Sequence, residues 1–255
     1  MPEISLSVNL NKIALLRNSR EGDYPSVMEF GRLALQAGAH GLTVHPRPDQ
    51  RHIKPHDVKQ LGTLVKTTTD HSAEFNIEGN PFAAPRGDYP GLIELALATQ
   101  PDQCTLVPDT DNQKTSDHGF DLTKTGSELQ PLIEQLHTAG IRVSLFMDPD
   151  PAQISLASEL GADRIELYTG PFAHAFAKNE TQGKAVFKQH CVAAEKALSL
   201  GLGINAGHDL NLENMRLYNT LPGLQEVSIG HALTVDALLY GFENTVKSYL
   251  KLCLN

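Results

Sequence analysis

Eight short β-rich segments recur along this chain, each separated from the next by a longer stretch of helical character. They are ISLSV (4–8), GLTVH (41–45), AEFNIE (73–78), QCTLV (103–107), RVSLF (142–146), RIELY (164–168), LGINA (202–206) and EVSIG (226–230). Each has ordinary strand length. Between them, VMEFGRLALQAG (27–38) places Val27, Phe30, Leu33, Ala34 and Ala37 at helical spacing. LIELALATQ, LQPLIEQLHTAG, AQISLASELGA, CVAAEKALSLGLG and the closing ALTVDALLYGFENTVKSYLKLCL read as helices in the same way. Gly38, Gly140, Gly161 and Gly201 each follow soon after a last apolar residue, the signature of a helix C-terminus. Strands alternating with helices imply a parallel sheet. Eight repeats in 255 residues fit a closed barrel better than an open doubly wound sheet. The expected fold class is therefore α/β, a TIM (β/α)8 barrel with eight parallel strands and additional short helices. Pro, Gly and Ser are spread throughout with no linker, so 1–255 is expected to be a single catalytic domain. The polar stretches 108–121 and 169–184 read as long loops after strands four and six.

Composition narrows the function classes. The formal net charge of −9 argues against a nucleic-acid-binding face, which needs a basic surface. Phosphate ligands stay open, because a local cluster of Arg, Lys and His holds phosphate inside an acidic protein. Cys104, Cys191 and Cys253 are odd in number and far apart, which suggests neither a disulfide framework nor a cysteine zinc site; they read as small buried hydrophobes. No apolar run is long enough to span a bilayer, and MPEISLSVNL lacks a secretory signal, so the expected location is cytoplasmic.

In a TIM barrel the active site lies at the C-terminal ends of the strands. Reading those ends collects Asn9, Asn11 and Lys12 after strand one, and His45, Arg47, Arg51 and His52 after strand two. Glu78 ends strand three and Glu166 lies on strand six; Asn205, Gly207 and His208 follow strand seven, and Gly230 and His231 follow strand eight. Buried polar groups left unpaired cost about 1–3 kcal/mol each, so their gathering on one face points to use. His45 and His208 are suited to proton exchange near neutrality, and Glu78, crowded at a barrel mouth, to the role of a base. Lys12, Arg20, Arg47, Arg51 and His52 form one positive region. The glycine-bearing NAGHD and IGHA loops form a second phosphate cradle, where backbone N–H groups face a ligand. Acid–base chemistry on two phosphorylated substrates, or on one bisphosphate, follows. A metal-dependent barrel hydrolase or sugar isomerase would draw on His45, Glu78, Glu166, His208 and His231, although strand one ends in Asn-Leu-Asn and not in a His-x-His pair. A non-catalytic phosphosugar-binding barrel would bind without turnover.

VNLNKIALLRNSR (8–20), GAHGLTVHPRPDQRHI (38–53), FNIEG (75–79), LVPD (106–109), VSLFMDPD (143–150), IELYTG (165–170), INAGHDL (204–210) and EVSIGHA (226–232) together resemble the pyridoxine 5′-phosphate synthases of bacterial vitamin B6 biosynthesis. The resemblance covers nearly the whole chain. It implies a barrel that assembles as a homo-octamer built from dimers. It also implies condensation of 1-deoxy-D-xylulose 5-phosphate with 3-amino-2-oxopropyl phosphate to close a pyridine ring, releasing inorganic phosphate and water, with no cofactor or metal. By the same resemblance His45 and Glu78 match general bases and His208 a proton donor. Asn9, Asn11, Lys12, Arg20, Arg47, His52, Ser116, Asp209, Gly230 and His231 match substrate-binding positions, and Glu166 a further active-site carboxylate. The chain departs from the common pattern in having Asn11-Lys12 for Asp-His, Thr115-Ser116-Asp117-His118-Gly119 for Thr-Thr-Glu-Gly-Gly, and Asp209 for a Gly.

Overall fold

The computed structural model describes residues 4–68 and 73–254; Met1–Glu3, the start of the stretch read for a signal, lie outside them. The strands are β1 (Ser5–Asn9), β2 (Gly41–Val44), β3 (Glu74–Gly79), β4 (Gln103–Leu106), β5 (Arg142–Met147), β6 (Arg164–Tyr168), β7 (Gly203–Gly207) and β8 (Leu224–Ile229). Each neighbour pair is parallel, and β8 closes on β1 through Ser5↔Glu226 to Val8↔Ile229. This is the expected (β/α)8 barrel, with strand limits within two residues of those read from sequence.

Alternation along each strand sorts the side chains. Leu6, Val8, Leu42, Val44, Ile77, Cys104, Leu106, Val143, Leu145, Ile165, Leu167, Ile204, Ala206 and Val227 are all fully buried in the apolar core, on the outer face of the strands and under the helices. The intervening residues point into the barrel, and apart from Phe146 and the glycines they are polar. The Ser7 and Thr43 hydroxyls lie 2.7 Å apart, and Thr105 Oγ1 donates to Asn76 Oδ1 at 3.0 Å. Asn205 Nδ2 donates across the barrel to Gln103 Oε1 at 3.3 Å, an oxygen that also accepts from Arg142 Nε at 2.9 Å. Arg164 Nη1 donates to Asn205 Oδ1 at 2.9 Å and lies 3.8 Å from Glu226 Oε2. Barrels of this kind are commonly filled by layers of branched apolar residues; this interior is a hydrogen-bonded lattice.

The helices are α1 (Asn11–Arg17), α2 (Val27–Gln36), α3 (Pro55–Thr67), α4 (Leu92–Thr99), α5 (Leu122–Thr138), α6 (Pro151–Glu159), α7 (Gly170–Lys178), α8 (Glu180–Ser199), α9 (Met215–Tyr218), α10 (His231–Tyr240) and α11 (Phe242–Cys253). Gly38, Gly140, Gly161 and Gly201 all take positive φ, as their place after helix ends requires. Residues 108–121 form no helix or strand, as expected. Residues 169–184, by contrast, are helical. Pro171 sits in the first turn of α7, where it initiates a helix instead of breaking one. Asn179 then caps α8 by accepting from Thr181 N–H at 2.8 Å. Asn11 and Lys12, read as residues trailing strand one, open α1. The closing helix is two helices, parted at Gly241 (φ 80°). Of its apolar residues Val246 and Tyr249 are buried against the barrel, whereas Leu238 and Leu239 stand 77% and 73% exposed. Cys104 and Cys253 are buried, but Cys191 only partly so. Among the described residues no helix is long and apolar enough to cross a membrane.

Candidate active site

A cavity of about 350 Å³ opens at the C-terminal ends of the strands, within the range of small-ligand sites. Asn9, Asn11, Lys12, His45, Arg47, His52, Glu78, Ser116, Glu166, His208, Asp209, Gly230 and His231 all line it. Arg20 does not; it is exposed in the turn after α1, outside this cavity.

One wall is built from the first three strands. Asn9 Oδ1 accepts from Asn11 N–H at 3.0 Å, and Asn11 Oδ1 accepts from His45 N–H at 2.8 Å. The Asn11 amide thus fixes the backbone that carries His45. Asn9 Nδ2 donates to Glu78 Oε2 at 3.5 Å, and that oxygen stands 3.8 Å from His45 Nδ1. Burial pushes the Glu78 carboxyl well above the ordinary range, and the carboxylates of Glu166, Glu226 and Asp109 push it further. Glu166 is raised to about 8 by burial and Glu226, and Glu226 to about 7, chiefly by burial.

Asp109 also belongs to this wall, a residue that no strand-end pattern singles out. Its Oδ2 lies 3.1 Å from His45 Nε2, and it pairs closely with Arg47. Burial alone would raise this carboxyl, but His45 and then Arg47 hold it below the ordinary value. Asp109 directly follows Pro108 after strand four; an acidic residue there was the available signal. Arg47 also donates through Nη1 to the carbonyls of Thr110 and Gln113, both at 3.1 Å, and Arg51 to those of Gln113 (2.8 Å) and Asp111 (2.7 Å). The two guanidinium groups therefore hold the loop after β4. That loop in turn brings Thr115 and Ser116 into the cavity. His52 is not a positive group. Burial, then the charges of His45, Arg47, Lys12 and Arg51, lower it to about 3, and its Nδ1 accepts from Ile53 N–H at 2.9 Å. It offers a neutral Nε2–H donor.

The opposite wall follows β7. Thr169 N–H and its hydroxyl both donate to the Gly207 carbonyl, at 3.1 and 2.7 Å. The chain then turns through His208 and Asp209, both at positive φ (85° and 59°). His208 Nδ1 is 3.0 Å from Asp209 Oδ2, and Nε2 is 2.7 Å from Thr115 Oγ1. Tyr168 packs edge-on against the imidazole at 5.2 Å. A Cβ at Gly207 would collide with the Glu166 carboxylate, so this glycine makes room for it. Gly230 caps α10 and His231 opens it. Two candidate bases thus face a candidate acid across one cavity, with Arg47 and Lys12 on one side and a helix N-terminus on another. No trio of His, Cys, Asp or Glu among the described residues is grouped to hold a metal ion.

Comparison with known proteins identifies the family. Residues 6–255 match the family model of the pyridoxal phosphate biosynthesis protein PdxJ. A pyridoxine 5′-phosphate synthase from Xanthomonas oryzae pv. oryzae (strain MAFF 311018) is 55% identical over 249 residues, covering 97% of this chain and 95% of the relative. One from Leptospira biflexa serovar Patoc is 49% identical over 255 residues, covering 96% and 95%. Among solved structures, tryptophan synthase from Mycobacterium tuberculosis superposes with a TM-score of 0.65 at 10% identity, covering 99% of this chain and 93% of that one; this is a likeness of fold alone. With its model matched almost end to end, the chain belongs to the PdxJ family of pyridoxal phosphate biosynthesis proteins.

Proposed function

We infer that this chain is a pyridoxine 5′-phosphate synthase: it condenses 1-deoxy-D-xylulose 5-phosphate with 3-amino-2-oxopropyl phosphate, closes the pyridine ring, and releases inorganic phosphate and water. Family membership and the relatives' shared name support the activity. The observation that carries the mechanism is the facing of Glu78 and His45 by His208 across one cavity. Forming an imine, eliminating water and phosphate, and aromatising a ring demand repeated proton removal and return, and no net redox change. His45 and Glu78 serve as general bases. Burial gives Glu78 the higher proton affinity that a base working near neutrality needs. His208 serves as proton donor. Arg47, His52, Ser116, Asn11 and Lys12 bind one substrate. Asn9, the backbone amides of Asp209 and Gly230, and His231 bind the other, with Glu166 holding charge between them. No cofactor is required. The whole chain acts as one catalytic domain, in the cytoplasm, assembled as a homo-octamer built from dimers. Arg20, exposed and outside the cavity lining, joins substrate binding in its own site or in a neighbouring subunit's.

The test mixes both substrates with purified protein and follows the pyridine chromophore together with phosphate release. Both signals should rise in step. Absence of product at every enzyme concentration overturns the assignment. H208A and E78Q should fold normally and lose about 10²–10⁴-fold in kcat; near-parental rates in both would overturn the roles.

A further inference from the structure

We propose that the Asp209 side chain is a positioning residue for His208: its carboxylate keeps the proton on Nδ1 and leaves Nε2, inside the cavity, as the one ring nitrogen that exchanges a proton with substrate. This rests on the reading of His208 as proton donor.

An ionised carboxylate only accepts hydrogen bonds. At 3.0 Å from Asp209 Oδ2, His208 Nδ1 must therefore be the donor. Burial opposes ionisation of Asp209, but the hydrogen bond from His208 is the larger influence and holds its carboxyl below the ordinary value, with His231 and Lys12 adding to it. With Nδ1 committed, Nε2 accepts the Thr115 hydroxyl at 2.7 Å when the ring is neutral, and becomes the donor when it gains a proton. The Tyr168 ring, 77° to the imidazole plane, keeps Nε2 directed at this position.

The backbone argues independently. His208 and Asp209 occupy the left-handed region in succession, where glycine is favoured. The turn does not need the Asp209 side chain. Thr169 holds the Gly207 and His208 carbonyls from one side, and Asn214 Nδ2 donates to the Asp209 carbonyl at 3.1 Å from the other. A glycine would serve the turn better. The carboxylate's one hydrogen-bonding partner on the described residues is the imidazole beside it.

The test compares D209G and D209N with the parent and H208A, by steady-state kinetics and by ring spectra of ¹⁵N-histidine-labelled protein. Glycine suits the turn and asparagine tolerates it, so both variants should fold. Each should lower kcat about 10-fold or more, as loss of an imidazole's orienting partner does, while KM for both substrates stays within about twofold. D209G should also abolish the low-field Nδ1–H resonance of His208, and D209N should keep it at higher field. A D209G enzyme with parental kcat, or one that retains that resonance, overturns the proposal and leaves the His208 assignment standing. Parental activity in H208A overturns both.

Discussion

Asp109 is the residue whose role the sequence hid. It stands against His45 Nε2 and pairs with Arg47, so it sets the ring of one proposed base and the guanidinium that holds the loop after β4. D109N keeps the size of the group and removes its charge. Its kcat should fall about 10–100-fold, the usual consequence of removing the outer partner of a working imidazole, and its Tm should drop because Arg47 loses a buried counter-charge. Parental kinetics in D109N would show that Asp109 does not serve His45. G207A forces a methyl group into the Glu166 carboxylate; overpacking of this kind costs about 1–3 kcal/mol. A loss of turnover larger than the loss of stability is expected, read by kinetics beside urea unfolding. His45, Glu78 and His208 were legible because strand ends are countable in sequence and each lies within one residue of one. Asp109 was not, because only the folded loop returns it to His45.

The elements behind the site are tied by one buried ion pair. Arg17, in the last turn of α1, meets Asp57 in the first turn of α3 at 2.5 and 2.9 Å, and both side chains are 3% exposed. Arg17 Nη2 also donates to the His52 carbonyl at 3.1 Å, and Asn18 Nδ2 to the same carbonyl at 2.8 Å. The stretch that carries Arg47 and His52 is thereby anchored to two helices. D57A should cost about 3–5 kcal/mol in urea unfolding, because it strands a buried guanidinium, whereas the paired change R17M/D57L should regain most of it. Equal stability of D57A and the parent would discount the anchor. Neither α1 nor α3 was read from sequence, since polar residues open both. α7 lies in a stretch whose polar composition reads as loop, although Pro171 in a first turn is a helix start. The joint at Gly241 was hidden by apolar residues continuing on both sides, and only its positive φ separates α10 from α11.

At the scale of the molecule, the fold class was plain from eight repeats, but the interior was not. Alternation in SLSVN, EFNIE and RIELY reads as strands with one wet face; only closure of the sheet turns that face inward. Buried with it are Glu78, Glu166 and Glu226, all held above the ordinary carboxyl range. Their unfolded forms lose protons near pH 4.5 while the fold retains them to about 7–8 at Glu226 and Glu166. Stability from these groups is thus full at low pH and is lost as pH rises through that window. The Tm of E226Q should fall less than that of the parent between about pH 5 and pH 8; parallel curves would contradict it. The same polar interior reaches the temperature axis. Exposing polar surface changes heat capacity by about −0.26 cal/K/mol/Å² against about +0.45 for apolar surface. A barrel lined by Gln103, Asn205, Arg164 and Glu226 therefore unfolds with a smaller heat-capacity increment than one of equal length packed with leucine. Its stability curve is broader, and it yields less to cold.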